Sequence, residues 1–132
     1  MDIEKALIEY WRDNSLTDIG ATVVVACSGG PDSLALLDIL DHQKEALHIR
    51  LVAAHYEHGI RGKTSRADAD FVRQYCDERK IPFFMEFGDI PSVIKATGES
   101  LETAARRMRY AFLNRVAAEF DNSVIATAHH AD

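Results

Sequence analysis

Short apolar runs alternate along this chain with longer segments in which apolar residues recur every three or four positions. A short continuous apolar run is typical of a strand that is buried on both faces of a parallel sheet. The pattern predicts four strands, at Thr22 to Cys27, Ile49 to Ala54 with His55 at its end, Pro82 to Phe87 and Ser123 to Ala128.

The helical spacing lies between these runs and predicts five helices. They cover residues 2–14, Asp32 or Ser33 to about Ala46, a segment that begins at the capping pattern Ser65-x-x-Asp68, Pro91 to Ala96, and Ser100 to about Phe120. The side chains expected to face the core are Leu36, Leu37 and Leu40, then Ala67, Phe71, Val72, Tyr75 and Cys76, then Leu101, Ala105, Met108 and Phe112.

Strands that alternate with helices predict an α/β fold in three layers, with a mostly parallel sheet and helices on both faces. The 132 residues are expected to form a single domain. Functional groups of such folds lie at the carboxyl ends of the strands. Three informative segments follow strands in this way, namely Ser28–Ser33, His55–Arg61 and Ala128–Asp132.

The segment Ser28–Ser33 reads Ser-Gly-Gly-Pro-Asp-Ser and joins the first strand to a helix. Backbone N–H groups of such a turn, with the positive end of the helix behind them, suit a phosphate or pyrophosphate group. Gly29 and Gly30 permit a close approach of the anion. Pro31 suits the first turn of a helix because it needs no N–H there.

The side chains of this segment also suit phosphate binding. Asp32 is a candidate ligand for Mg²⁺ on phosphate oxygens, and Ser28 and Ser33 are candidate hydroxyl donors to them. The segment is not a Walker A loop, since no lysine lies between Ala21 and Gln43. It resembles the pyrophosphate-binding loop of enzymes that split ATP between its α and β phosphates. The alternative is a tight turn capped by Ser and Asp.

A second motif, His55-x-x-His58-x-x-Arg61, opens a segment, residues 56–64, that is expected to be an exposed loop. Two histidines and an arginine are suited to contact phosphate or a nucleic-acid backbone. A metal site would need a third ligand, and none is evident nearby. The alternative is a polar surface loop.

Glu102, Arg106 and Arg109 form a second stripe on the last helix, at the spacing that places them on one face. They are either a salt-bridged solvated face or an arginine row aimed at phosphates, with Glu102 orienting Arg106. After the fourth strand, His129 or His130 is expected at the carboxyl edge of the sheet, near the glycine-rich segment.

Composition narrows the class of protein. Hydrophobic residues make up 47% of the chain and charged residues 27%, which is typical of a globular domain, and the net charge of −6 argues against a broad grip on a polyanion. No apolar run approaches membrane-spanning length, and the first residues are not a signal peptide, so a cytoplasmic location is expected. Cys27 and Cys76 form no Cys-x-x-Cys pair, so the spacing indicates neither a zinc site nor a disulfide framework.

Four motifs taken in order are more specific than any one of them. They are Ser-Gly-Gly-Pro-Asp-Ser, Ala-His-x-x-His-Gly-Ile-Arg-Gly, Glu-x-x-Ala-Arg-x-x-Arg-Tyr and Thr-Ala-His-His-x-Asp. Their order and spacing resemble the N-terminal catalytic domain of the tRNA(Ile)-lysidine synthetases, over residues 15–132. Tyr56 and Glu57 depart mildly from the small or acidic residues usual between the two loop histidines.

The resemblance also sets an expectation about completeness. The family pattern continues with a second aspartate and then Glu-Thr, which do not follow in this chain. The family also carries C-terminal domains that help to bind tRNA. We therefore expect residues 1–132 to be an incomplete ATP-binding catalytic domain, truncated at its C-terminal side and inactive alone.

The resemblance implies a Rossmann-like fold of the adenine nucleotide alpha hydrolase type and a two-step reaction. ATP, with Mg²⁺, adenylates the C2 oxygen of the wobble cytidine in an isoleucine tRNA with a CAU anticodon, and free lysine then displaces AMP to give lysidine. No membrane and no stable protein partner is implied. The implied site comprises Ser28 to Ser33, Ala54 and His55 for ATP, with Asp32 also holding Mg²⁺; Asp32, Arg106 and His129 for catalysis; and His58, Arg61, Glu102 and Arg109 for the target nucleotide or tRNA.

Two alternatives remain at this point. One is another enzyme with the same loop, such as a tRNA thiolase, an NAD synthetase or a GMP synthetase. Thiolases of this type usually carry lysine where Pro31 stands and use paired cysteines, which this chain lacks. The other is a non-catalytic nucleotide-binding module of the same fold, which has no reason to carry the histidine–arginine motif.

Overall fold

The structure is a computed structural model and describes residues 20–27, 31–57 and 63–128. The chain order is strand, helix, strand, helix, strand, two helices and strand. The elements are β1 (Ala21–Ala26), α1 (Pro31–Leu47), β2 (Ile49–Glu57), α2 (Lys63–Glu78), β3 (Phe83–Phe87), α3 (Ile90–Thr97), α4 (Leu101–Ala117) and β4 (Ser123–Ala126).

The described strands form one parallel sheet in the order β3-β2-β1-β4. β1 pairs with β2 on one side and β4 on the other, and helices pack on both faces of the sheet, so Val23, Val24 and Val25 have no exposed surface. The continuous apolar run that begins at Thr22 therefore forms the central strand β1, as its sequence predicts.

Helices cover both faces of the sheet, which confirms the three-layer α/β fold. On one face, Leu37 and Leu40 of α1 and Val72 and Cys76 of α2 meet Val23 and its neighbours. On the other, the buried contacts of α3 and α4 with the sheet are made by Ile90, Ala104, Phe112, Leu113 and Val116, which surround Val24, Val52 and Ala54.

Local signals fix the helices of the second face. Asp89 accepts hydrogen bonds from the N–H and the hydroxyl of Ser92 and so caps α3. Gly98 ends α3 in the left-handed conformation, with φ 74°. The predicted start of the last helix is confirmed, because Ser100 accepts a hydrogen bond from the N–H of Thr103.

Several predicted ends were wrong. α2 begins at Lys63, so Ser65 lies inside the helix and does not cap it. α4 stops at Ala117 and β4 at Ala126, both short of the predicted ends. The helix predicted at residues 2–14 lies outside the described residues.

Three side chains assigned to the core are exposed, namely Ala67, Phe71 and Leu101. Ala67 is exposed because it lies more than half a helical turn from the buried Ala69. Phe71 has 58% of its surface exposed because the inward face of α2 is made by Ala69, Val72 and Cys76, and Phe71 lies about a quarter turn away from Val72. Leu101 is 50% exposed because α4 first reaches the core at Ala104.

No helix in the described part of the chain is both long and apolar enough to span a membrane.

Candidate active site at the carboxyl edge of the sheet

The central strand leads directly to the start of a helix. β1 ends at Ala26 and α1 begins at Pro31, so Cys27 and the first turn of α1 lie at the carboxyl edge of the sheet. In the first turn of α1, Asp32 is exposed and Ser33 is buried, with 4% of its surface exposed. The N-terminus of α1 therefore presents a carboxylate and its own positive dipole at this edge, which suits a metal–phosphate group.

The end of β2 is tied to the start of the same segment. The N–H of Cys27 donates to the carbonyl oxygen of Ala54 at 2.8 Å. His55 Nδ1 lies 2.6 Å from the carbonyl oxygen of Cys27. Because a carbonyl only accepts, Nδ1 carries the proton and donates it to this bond. Ala54 and His55, both predicted site residues, thus hold the residue that precedes Ser28.

A second polar side chain is buried beside His55. His55 is 3% exposed and Glu57 is 6% exposed, and His55 Nε2 lies 3.8 Å from the Glu57 carboxylate. Within the described residues, Nε2 makes no hydrogen bond. This edge of the sheet therefore holds a buried His–Glu pair next to the β1–α1 connection.

Sequence reasoning missed Glu57, because β2 is longer than predicted. The strand does not end at His55, and Tyr56 and Glu57 are buried strand residues rather than part of an exposed loop. They pair with Glu86 and Phe87 of β3, and the N–H of Gly88 donates to the carbonyl oxygen of Glu57. The sequence did indicate a longer strand, because no glycine or proline that would end a strand lies between His55 and His58.

The arginines of α4 take different partners. Arg107 makes two hydrogen bonds to the Glu99 carboxylate, at 2.7 and 3.2 Å, and this pairing lowers the pKa of Glu99 and raises that of Arg107. Arg106 is exposed, and its guanidinium lies over the ring of Tyr110. Glu102 is also exposed, and no described ion pair joins it to Arg106. The described contacts therefore do not include the predicted ion pair through which Glu102 would orient Arg106.

Neither thiol is available as a nucleophile. Cys27 adjoins the site, but burial raises the pKa of its thiol to about 12. Burial also raises the pKa of Cys76 to about 11. A protonated buried thiol is inert, so the described part of the chain offers no cysteine chemistry.

The metal-binding groups of the described residues are few. Within residues 20–27, 31–57 and 63–128, no group of three His, Cys, Asp or Glu side chains forms a metal site. The exposed Asp32 nonetheless fits Mg²⁺, which proteins often hold through one carboxylate while substrate phosphates supply other ligands.

Other predicted site residues lie outside the described residues. They are Ser28, Gly29, Gly30, His58, Arg61 and His129. Of Pro31, the structure describes the backbone, which is the first residue of α1.

Curated relatives share most of this chain. It is 37% identical over 98% of its length to a tRNA(Ile)-lysidine synthase of Clostridium perfringens and 40% identical over 98% to one of Chlorobaculum tepidum. A tRNA(Ile)-lysidine synthase of a Thermotoga strain is 44% identical over 84% of the chain. The chain covers 28%, 39% and 27% of the lengths of these three relatives.

Solved structures with the same fold include two other enzymes. The U34-tRNA thiolase NcsA from Methanococcus maripaludis matches with a TM-score of 0.78 and 21% identity, over 96% of this chain and 44% of its own. An NH3-dependent NAD synthetase from Campylobacter jejuni matches with a TM-score of 0.68 and 21% identity, over 95% of this chain and 56% of its own. At this identity the likeness shows the fold alone.

The family model described as the PP-loop domain matches residues 3–132, nearly the whole chain. The parallel sheet with helices on both faces, and the placement of Asp32 and Ser33 in the first turn of the helix after the central strand, agree with that match. The chain belongs to the PP-loop domain family.

Proposed function

We propose that this chain supplies the ATP-binding and catalytic part of a tRNA(Ile)-lysidine synthase. The reaction would begin with attack of the C2 oxygen of the wobble cytidine on the α-phosphorus of ATP, which releases pyrophosphate and leaves an adenylated cytidine. The ε-amine of free lysine would then form a bond to C2 and displace AMP. The RNA substrate would be the isoleucine tRNA with a CAU anticodon.

One observation carries this proposal. The segment between the central strand and α1 reads Ser-Gly-Gly-Pro-Asp-Ser, in a chain that is 37% identical over 98% of its length to a lysidine synthase. The segment fits ATP cleavage at the α-phosphorus, because pyrophosphate leaves most easily where fixed N–H dipoles and a cation absorb its charge.

The proposed roles follow the chemistry of each group. The backbone N–H groups of Gly29, Gly30, Asp32 and Ser33 would bind the ATP phosphates, and the carboxylate of Asp32 would hold Mg²⁺ against them. The bound Mg²⁺ would neutralise the charge that develops on the departing pyrophosphate. Ala54 and His55, at the end of β2, would line the nucleotide site beside them.

The remaining candidates would act on the RNA side of the site. Arg106 and Arg109 would contact phosphate groups of the nucleotide or the tRNA, and Glu102 would assist them. His58 and Arg61 would contact the RNA backbone. His129 would lie near the reacting carbon, where a histidine could take a proton from the lysine ε-amine, which must attack in its neutral form.

The proposal also names where the reaction would occur. We expect the activity in the cytoplasm, because its tRNA and ATP substrates are found there. The buried, protonated thiols of Cys27 and Cys76 argue against sulfur transfer by the described residues, which favours lysine ligation over a thiolase reaction.

The test is a product assay with radiolabelled lysine, MgATP and the isoleucine tRNA with a CAU anticodon. The chain is assayed as it stands and as a chimaera in which it replaces the matching segment of the Clostridium perfringens relative, which is the positive control. The expected result is lysine incorporated into tRNA by the chimaera, with equal amounts of AMP and pyrophosphate.

The control variant is the chimaera with Asp32→Ala, which is expected to lose incorporation. A methionine tRNA with a CAU anticodon serves as the control RNA. Pyrophosphate release that does not need tRNA would contradict the proposal and favour a synthetase of the NAD or GMP type. No pyrophosphate release by a folded chimaera would favour a non-catalytic nucleotide-binding module.

A further inference from the structure

Tyr110 lies between two arginines of α4. The Cζ atom of Arg106 is 5.7 Å from the centre of the Tyr110 ring, and the Cζ atom of Arg109 is 5.2 Å from it. A guanidinium within about 6 Å of an aromatic ring centre is attracted to the π electrons of the ring. Both arginines therefore meet one aromatic side chain.

Without the Tyr110 ring, charge repulsion would favour separation of the Arg106 and Arg109 guanidiniums. Arg106 and Arg109 are three residues apart on a helix, so their side chains are neighbours and their like charges repel. Arg106 is exposed and Arg109 is partly buried, with its Nε atom inaccessible to solvent. The Tyr110 ring offsets the repulsion because it attracts each guanidinium.

This cluster lies toward the functional edge of the sheet. A helix that connects two parallel strands returns from the carboxyl edge to the amino edge, so the first half of α4 lies on the carboxyl side. The ring of Phe112 is 5.6 Å from that of Tyr56, the next-to-last residue of β2. Arg106, Arg109 and Tyr110 precede Phe112 and so lie at or beyond the edge where β1 meets α1.

We propose that Tyr110 is a positioning residue that holds the Arg106 and Arg109 guanidiniums together, so that both act on one phosphate group. The inference rests on the proposed function, in which these arginines contact phosphate of the nucleotide or of the tRNA. Tyr110 needs no contact with the ligand. It lowers the cost of binding because the two cations are already gathered before the phosphate arrives.

The geometric half of the proposal is tested by NMR of the arginine Nε–Hε groups. The Tyr110 ring current shifts the signals of Arg106 and Arg109. Tyr110→Leu keeps apolar packing but removes the π face, and both signals are expected to move to ordinary positions. Tyr110→Phe is expected to keep them shifted.

A matched control exists on the opposite face of the sheet. The Cζ atom of Arg79 lies 3.7 Å from the centre of the Tyr75 ring, on α2. Tyr75→Leu is expected to move the Arg79 signal and leave those of Arg106 and Arg109 in place. Arg106 and Arg109 signals that do not respond to Tyr110→Leu would overturn the proposal.

The functional half uses inorganic pyrophosphate, with Mg²⁺, as the probe and calorimetry on folded protein as the measurement. Tyr110→Leu is expected to weaken binding about tenfold, the loss expected if two cation–π contacts that hold the guanidiniums together disappear. Tyr110→Phe is expected to restore the affinity. The double variant Arg106→Ala, Tyr110→Leu is expected to lose less pyrophosphate affinity than the sum of the two single losses, because the ring acts partly through Arg106.

The two proposals fail in different ways. If Arg106→Ala weakens binding while Tyr110→Leu binds as the wild type does, the positioning role of Tyr110 is wrong and the phosphate role of Arg106 stands. If Arg106→Ala binds as the wild type does, the phosphate role assigned to Arg106 under the proposed function is itself wrong.

Discussion

Gly88 leaves the space that the Tyr56 side chain fills at the end of β2. A Cβ atom on Gly88 would overlap the ring and the hydroxyl of Tyr56, which is buried and contacts the Phe112 ring. Because Gly88 has no positive φ, alanine there tests packing rather than backbone strain. We expect Gly88→Ala to lower the free energy of unfolding by about 1–3 kcal/mol, the usual cost of overpacking, as measured by urea denaturation.

Tyr56→Leu provides the control for this steric conflict. In the Gly88→Ala, Tyr56→Leu double variant, the smaller leucine leaves room for the new methyl group. Its loss of stability is expected to be smaller than the sum of the two single losses. An unchanged urea midpoint for Gly88→Ala alone would show that Tyr56 does not occupy this space.

Cys27 and Cys76 are predicted to be unreactive in the folded protein. Burial raises the pKa of Cys27 to about 12 and that of Cys76 to about 11, so almost no thiolate exists near neutral pH. With Ellman's reagent at about pH 8, neither thiol should react in the native state and both should react in denaturant. Rapid native labelling of Cys27, located with a Cys76→Ser control, would contradict its burial.

At the scale of elements, two carboxylates that flank α3 make the stability of this region depend on pH. Hydrogen bonds from Ser92 to Asp89 lower the pKa of that carboxyl from 3.8, and hydrogen bonds from Arg107 lower the pKa of Glu99 from 4.5. In the unfolded chain both groups regain their ordinary values, so the unfolded state binds more protons in acid. Their contribution is therefore complete above the ordinary values and is lost as the pH falls through the lowered native ones.

We expect the urea midpoint to fall as the pH is lowered from about 5 toward 3. Asp89→Asn with Glu99→Gln should flatten this part of the curve, since neither amide titrates. Glu119→Gln changes an exposed carboxylate that takes part in no described ion pair, and it serves as the control. A double variant with the same slope as the wild type would show that these two contacts do not form in solution.

The apolar pattern predicted the elements better than their ends. β1 was recognisable because a central parallel strand is buried on both faces, and the start of α4 was recognisable because Ser100 is a good capping residue. The end of β2 was missed because its last residues, Tyr56 and Glu57, owe their burial to β3 and Gly88, which come later in the chain. Phe71 was misplaced because periodicity does not show which edge of an apolar stripe meets the sheet.

At the scale of the whole molecule, the site depends on contacts between segments that are distant in the sequence. The rule that parallel strands align their carboxyl ends placed Ser28–Ser33 and His55 at strand ends, and in the described residues His55 bonds to the carbonyl of Cys27, which precedes Ser28. The same rule cannot predict the buried partner Glu57 or the arrangement of Arg106 and Arg109 around Tyr110, because these depend on side-chain geometry.

The central claim is that nucleotide phosphates bind where β1 meets α1. The measurement that tests it most directly is a calorimetric titration of the protein with MgATP, compared among wild type, Asp32→Ala, Ser33→Ala and Asp121→Ala. Asp121 is an exposed carboxylate at the opposite edge of the sheet, before β4. It has the same side chain as Asp32 but lies away from the proposed phosphate site, so it serves as the control. We expect Asp32→Ala and Ser33→Ala each to weaken binding about tenfold, or about 1.4 kcal/mol, while Asp121→Ala binds as the wild type does. The effect of Asp32→Ala should disappear when EDTA removes Mg²⁺. Wild-type affinity in both Asp32→Ala and Ser33→Ala would contradict the account.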